Sequence, residues 1–542
     1  MAGTGILIGG AGTGKTTRLI DIMLKVRDRG VKPHEIGFFT MTVAARMEAA
    51  QRAAVAFECN IDELLRYGWM KTGHAAVLAM LDISAKELLT GTTKADRDWL
   101  KSNVDANMIG GSDEDADPFA AACGGDIALK LWHAARCRLT GLRTAHRVSE
   151  RCDERTPSFA DCVWYIERYE SAKRLDHRTD FTDLLGMYAG WNFHIDGPTE
   201  VQPLGEVPQL PVVFIDEAQD LSDLLNSAMI RLASRAKWKY LVGDPFQSIF
   251  SFSGSNPDLF QEWESDKQEV LGQSYRCPKP IHELGERILQ QCSNYWDRGI
   301  NPAPHEGVVE RMYLNDDWVS KIDPRESWML IARTNYVASR LSKELTRAGL
   351  PWVTTTGTGV WASPIRKKAI AGLLELQDGG IVNVDEWSAI VKNLPSKIGK
   401  RKMFVRGTKK RWGEAQDVAD DIESLEGIER WGGTVELQNL ISSGEWIQYI
   451  KHADDFISAA KLYGMESVMD PQVEVGTIHS VKGSEADNVL LFTTLSHQVV
   501  NTMQEQGGYD EEMRIIYVAV TRARKRLVIL DEQTINKMEI PD

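Results

Sequence analysis

The sequence predicts an α/β protein of two doubly wound parallel-sheet domains, each interrupted by a largely helical insertion. Three observations predict it. In the first half, short apolar runs ending in glycine or acid (Ile6-Leu7-Ile8, "VVFIDEAQD", "KYLVGDPFQS") are separated by helical patterns, the mark of parallel strands with helices between them. From about residue 270 the pattern restarts, with "SWMLIARTN", "VLLFTTL" and "KRLVIL" as further apolar strands. At 542 residues the chain also exceeds what one hydrophobic core supports.

Taken in order, the Ile6–Ile8 strand runs into "GGAGTGKTT" (residues 9–17), and a helix follows from Thr17. A strand over Ile36–Thr40 precedes an alanine-rich helix, Val43–Phe57. Residues 103–126, including "GGSDEDAD", read as a mobile polar loop, and helical patterns fill roughly 127–190. These segments divide the chain into a first sheet domain (1–90 and 179–268) with a helical insertion (91–178). A second sheet domain (269–379 and 469–542) carries a shorter insertion (380–468).

Composition bounds the class. Hydrophobic residues are 43% and charged residues 26% of the chain, an ordinary globular balance. No run of roughly 18 apolar residues occurs, so no membrane span is expected, and the first strand starts too early to leave room for a signal peptide. Cys59, Cys123, Cys137, Cys152, Cys162, Cys277 and Cys292 are odd in number and form no Cys-x-x-Cys pair. That argues against a disulfide framework, a zinc ribbon or a clustered iron–sulfur site, and a cytoplasmic location is expected. With 63 basic and 77 acidic residues the net charge is −14. Coating nucleic acid by bulk attraction is disfavoured; a narrow positive track is not.

Gly9-Gly10-Ala11-Gly12-Thr13-Gly14-Lys15-Thr16-Thr17 has the spacing of a phosphate-binding loop. Its glycines let backbone N–H groups converge on phosphate oxygens at a helix N-terminus. Lys15 is expected to reach the β and γ phosphates, and the Thr16 hydroxyl to bind Mg²⁺. The bland alternative is a glycine turn with a chance lysine; the strand before and helix after argue against it. In "VVFIDEAQD", Asp216 is expected in the Mg²⁺ shell and Glu217 beside the attacking water. Alone these acids would read as a solvated turn. Two adjacent carboxylates after a buried strand are costly unless a metal or water uses them.

Further on come "LVGDPFQSIFSFSG" (241–254), "GQSYRC" (272–277), "LIARTN" (330–335), "VGTIHSVKGSEADNVLL" (475–491) and "YVAVTRARKRL" (517–527). In this order they resemble the superfamily 1 DNA helicases of the UvrD/Rep/PcrA type, from residue 5 to residue 530. The resemblance implies two RecA-like motor domains that use ATP and Mg²⁺ to move on single-stranded DNA, 3′→5′, and to open single-strand/duplex junctions. It implies that Gln247 senses the γ-phosphate, that Tyr275 stacks on the base, and that Glu485 touches the sugar. Arg276 and Arg522 resemble the family's arginines that reach the γ-phosphate from the second domain, a device giving about 10³–10⁵ in rate. Thr40, Thr42, Thr72, His74, Phe250, Phe252, Thr477, His479 and Lys482 resemble positions that face the DNA strand. There, stacking supplies about 1–3 kcal/mol per base. In isolation each arginine would read as a surface ion pair and each phenylalanine as core.

Some positions depart from the family. No glutamine-bearing helix precedes the first strand, which opens the question of nucleotide selectivity. "TMTVAARME" lacks the aromatic and Asn-Lys pair usual there, and Ser253 and Ser484 replace an arginine and a leucine. Phe252 and Phe250 stand for tryptophan and tyrosine. The "DFTDLL" segment (180–185) also matches the family, although its aspartates could be structural. Lys392–Arg411 holds nine basic residues and no acid, either a solvated loop or a contact to duplex phosphates. Little chain follows "KRLVIL", so a nuclease or other replication, repair or defence partner would be a separate protein. The alternatives are a translocase subunit that strips proteins or senses DNA ends with little unwinding, a small-molecule kinase, and a DNA-binding scaffold. The kinase leaves Gln247, Arg276 and Arg522 without a role, and the scaffold has no use for Lys15 beside Glu217.

Overall fold

A computed structural model describes residues 3–84, 86–108, 123–413 and 422–541. Its first six-stranded sheet forms because its central strands are apolar on both faces, as parallel strands covered by helices must be. Ile6, Ile8, Phe39, Val213, Ile215 and Leu241 point to one side. There they meet Leu224, Leu225 and Ala228 of the helix Asp223–Leu232, and Leu184 and Tyr188 of Phe181–Ala189. Leu7, Phe38, Val212, Phe214 and Val242 point to the other. They are covered by Leu19 and Met23 of Lys15–Arg27 and by Ala49, Ala50 and Ala53 of Val43–Phe57. The alanine stripe lets that second helix lie close to the sheet.

The strand order is Lys267–Val270, Gly3–Ile8, Trp238–Gly243, Val212–Ile215, Ile36–Thr40 and Trp69–Thr72, all parallel. The strands Gly3–Ile8, Trp238–Gly243 and Val212–Ile215 are therefore neighbours. Residues Gly9, Asp244 and Asp216, which follow them, share one edge of the sheet, where open α/β sheets bind ligands.

Within the first insertion, helices Lys94–Val104, Gly124–Cys137, Leu142–Cys152 and Phe159–Leu175 close around Leu100, Trp132, Ile166 and Tyr169. Asp180 lies at its base, accepting hydrogen bonds from Arg136, Tyr169 and Lys173. The polar stretch expected as a loop over 103–126 is narrower, because helix occupies residues 103–104 and 124–126. Its centre, 109–122, lies outside the described residues.

A second six-stranded sheet has the order Val308–Tyr313, Ala523–Asp531, Ala486–Phe492, Trp328–Ala332, Val473–Thr477, Val353–Thr354. The pairs Ala486–Phe492 with Ala523–Asp531 and Val353–Thr354 with Val473–Thr477 are parallel. The fold is thus α/β with two parallel sheets flanked by helices.

The chain divides into two compact units. One holds Met1–Arg311, Ala332–Val337 and Thr477–Asp542; the other holds Met312–Ile331 and Ala338–Gly476. In the second unit, helices Pro364–Gln377, Val384–Asn393 and Val435–Ser442 pack with Trp387, Phe404, Trp412 and Trp431, whose rings lie 5.4–6.1 Å apart. This region is mainly helical but also carries two antiparallel pairs, Ile381–Asn383 with Ile422–Ser424 and Lys397–Ile398 with Arg401–Lys402. No described helix is long and apolar enough to cross a membrane.

Candidate nucleotide site and nucleic-acid track

The glycine loop leaves the strand Gly3–Ile8 and turns into the helix Lys15–Arg27 through two left-handed residues, Gly12 (φ 67°) and Gly14 (φ 78°). Lys15 Nζ donates to the Gly9 carbonyl at 3.1 Å, so the lysine is folded back across the loop. The strand Gln273–Pro278 lies against the loop: Tyr275 N–H donates to the Gly12 carbonyl at 2.8 Å and Ser274 Oγ to the Ala11 carbonyl at 2.8 Å. The approach is close enough that a Cβ on Gly12 would lie 2.2 Å from Arg276 Cβ. Tyr275 thereby presents an exposed ring beside the loop.

Opposite stand the acids. Asp216 is buried at the end of Val212–Ile215, its N–H bonded to the Phe39 carbonyl at 2.8 Å. Burial first, then the neighbouring Glu217, pushes the Asp216 carboxyl up to about 7. Glu217 feels the same burial, but Lys15 and Lys482 outweigh it and hold this carboxyl below its ordinary value. Two adjacent carboxylates, Asp216 buried and Glu217 half-buried, share one lysine and form a donor set that a divalent cation would relieve. The Thr16 side chain lines the same cavity.

A run of hydrogen bonds leads away from Glu217. Gln219 Nε2 donates to Glu217, and Gln219 Oε1 accepts from the Asp244 N–H at 3.1 Å. Asp244 Oδ2 accepts from Gln247 Nε2 at 3.0 Å. Arg276 Nε donates to Glu485 at 2.6 Å. Arg522, fully buried, donates to the Val518 carbonyl at 2.9 Å and the Ser484 carbonyl at 3.2 Å. Its burial, with Arg276 nearby, lowers its guanidinium to about 10. Lys15, Thr16, Asp216, Glu217, Gln247, Tyr275, Arg276, Glu485 and Arg522 all line one cavity of about 400 Å³.

The residues matched to the DNA strand are placed more diversely. Phe250, Phe252 and His479 form an aromatic cluster with ring centroids 5.5–6.0 Å apart. His479 Nε2 donates to the Ile249 carbonyl at 3.2 Å. Thr42 and Thr72 cap the helices Val43–Phe57 and Gly73–Leu78, their hydroxyls accepting from Ala45 and Ala75 N–H. His74 lies edge-on to Phe181 at 5.4 Å. Thr40 is fully buried and Thr477 nearly so, the latter accepting from Ser480 N–H at 3.2 Å. Thr42 and Lys482 also line the nucleotide cavity. Lys482 bonds to Asp220 and to the Gln247 carbonyl, with its ammonium 4.9 Å from the Phe250 ring centre. It therefore touches both the cavity wall at Gln247 and the aromatic cluster.

Reasoning from sequence did not single out Gln219, Asp220, Asp244 or Arg298, which the fold brings to this edge. The first three lie inside quoted motifs and could have been found as polar residues beside strand ends. Arg298 carries no local signal.

A glycine cradle, an adjacent acid pair and two inward arginines around one cavity define a P-loop nucleoside triphosphatase. Comparison with known proteins narrows this class. The model of the UvrD/REP helicase N-terminal domain matches residues 1–268, and that of the UvrD-like helicase C-terminal domain matches residues 435–534. The chain is 20% identical to the YjcD protein of Bacillus subtilis strain 168, over 97% of this chain and 76% of the relative. It is 21% identical to the ATP-dependent DNA helicase PcrA of Leuconostoc citreum, over 97% and 79%. With the F-box DNA helicase protein 1 of Schizosaccharomyces pombe it shares 24%, over 97% and 55%. The chain belongs to the UvrD-like superfamily 1 helicases.

Proposed function

We propose that this chain is an ATP-dependent DNA helicase that moves 3′→5′ on single-stranded DNA and separates strands at single-strand/duplex junctions. The observation that carries the reading is the single cavity shared by Lys15, Asp216, Glu217, Gln247, Arg276 and Arg522. Lys15 and the loop N–H groups bind the triphosphate, and Glu217 takes the proton from the attacking water. Arg276 and Arg522 stabilise the charge that develops on the transferred phosphoryl group. Thr16 and Asp216 would hold Mg²⁺, which neutralises phosphate charge when bound.

Coupling to DNA runs through named contacts. Gln247 lies beside the γ-phosphate position, its carbonyl holds Lys482, and Lys482 covers the Phe250 ring. Loss of the γ-phosphate is thereby passed to the cluster of Phe250, Phe252 and His479, which stacks on bases. Contact with duplex phosphates is assigned to Lys392–Arg411 in the second unit. All nine of its basic residues are exposed. Lys397 stands directly opposite Lys402 in the small hairpin, an unfavourable pairing that a polyanion would relieve.

The test is steady-state ATP hydrolysis without nucleic acid and with single-stranded DNA, duplex DNA or single-stranded RNA, beside Lys15→Ala. Stimulation by single-stranded DNA that Lys15→Ala abolishes is expected, and tailed duplexes then read the direction of unwinding. Hydrolysis indifferent to every nucleic acid overturns the reading.

A further inference from the structure

We propose that Arg298 is a positioning residue for nucleotide hydrolysis: it fixes the carboxylate that orients the Gln247 amide and braces the phosphate loop from behind. The inference rests on the nucleotide hydrolysis proposed above.

Arg298 belongs to no phosphate-loop, acid or arginine motif; it follows the helix Lys279–Leu289 in a loop. Its side chain is only 1% exposed. Nη1 donates to both oxygens of Asp244 at 2.9 Å, and Nη2 donates to Glu286 at 2.6 Å. The doubly held Asp244 carboxylate is the one that accepts from Gln247 Nε2 at 3.0 Å. Without the guanidinium, that carboxylate would be free to turn and the amide would lose its orientation. The same Nη1 lies 3.3 Å from the Tyr517 hydroxyl, which in turn lies 3.5 Å from the Ala11 N–H. A Cβ on Gly10 would come within 3.5 Å of Arg298 and 3.4 Å of Tyr517, so both side chains back the loop. Nη1 thus serves both parts while Nη2 anchors the guanidinium on Glu286, a two-ended hold that a lysine, as a point charge, cannot reproduce.

A displacement of about 1 Å in such a group costs up to roughly a hundredfold in rate. Steady-state ATPase with saturating single-stranded DNA is measured for wild type, Arg298→Lys, Gln247→Ala and the double variant, together with the affinity for a fluorescent ADP analogue. For Arg298→Lys, kcat is expected to fall by about tenfold or more, with KM and ADP affinity changed by less than about threefold. The double variant is expected to be no slower than the slower single, because both changes remove one function. Additive losses in kcat, a loss confined to KM and ADP affinity, or an unchanged kcat overturns the proposal. Should Arg298→Lys fail to fold by circular dichroism, Asp244→Asn is read by the same criteria. Absent hydrolysis in wild type overturns the functional reading beneath it; a DNA-stimulated wild type with additive variants overturns this inference alone.

Discussion

His479 shows how much a single side chain depends on its surroundings. Its Nε2 is committed to the Ile249 carbonyl, and its buried Nδ1 has no hydrogen-bond partner among the described residues. Burial first, then the positive charges of Arg333 and Lys482, holds the imidazole well below its ordinary value of 6.5, so it is neutral when folded. The unfolded chain takes up the proton more readily. This group's contribution to stability is therefore present above pH 6.5 and is lost as the pH falls below it. Thermal unfolding at pH 7.5 and 5.5 is expected to show a lower midpoint at pH 5.5, with a smaller drop in His479→Gln. Equal drops would refute this account. Residues such as Lys15, Asp216, Glu217 and Gln247 were legible in the sequence because each sits in a short contiguous motif at the end of a strand. Arg298 was not, because its partners Asp244, Glu286 and Tyr517 meet it only through the fold.

Among elements, the phosphate loop leaves no room for a side chain at Gly12. Gly12 combines a left-handed backbone with the closest approach of the strand Gln273–Pro278, so a methyl group there meets both strain and overlap. Gly12→Ala is expected to weaken binding of a fluorescent ADP analogue by about tenfold or more while leaving far-ultraviolet circular dichroism unchanged. Retained affinity would show that the loop and that strand part easily. The strands Ile36–Thr40, Val212–Ile215 and Trp238–Gly243 were readable because burial on both faces leaves an apolar run. Lys267–Val270 and Trp69–Thr72 were missed for the converse reason. They are the two edges of the sheet and have polar or half-exposed residues, leaving no run to detect. The hairpin Trp191–His194 with Gly197–Glu200 is equally solvated and equally silent.

At the scale of the whole molecule, a net charge of −14 means that binding to DNA is a matter of local placement. Few phosphates should be engaged, so affinity should fall only modestly with salt on single strands. Replacing Lys400, Arg401 and Lys402 with glutamine is expected to weaken forked-duplex binding. It should also reduce its log–log salt slope by about 2–3, near one for each phosphate no longer neutralised. Single-strand binding should keep its slope. Equal losses on both substrates would remove the hairpin from the duplex contact. Overall architecture was legible because strand and helix periods alternate twice along the chain. The two antiparallel pairs of the second unit were not, because strands of two or three residues carry too little pattern.

The backbone of Glu217 has a consequence of a different kind. This acid sits at φ 52° and ψ 41°, a left-handed conformation that costs an ordinary side chain about 1–2 kcal/mol and that asparagine or glycine tolerates better. The fold gives up stability at the residue to which the proposed function gives the attacking water. Selection for thermal robustness alone would thus enrich chains with asparagine or glycine at 217, relieved of backbone strain and, on the role proposed for Glu217, unable to turn over. Any effort to harden this protein by consensus or screening must therefore hold position 217 fixed and read turnover beside melting.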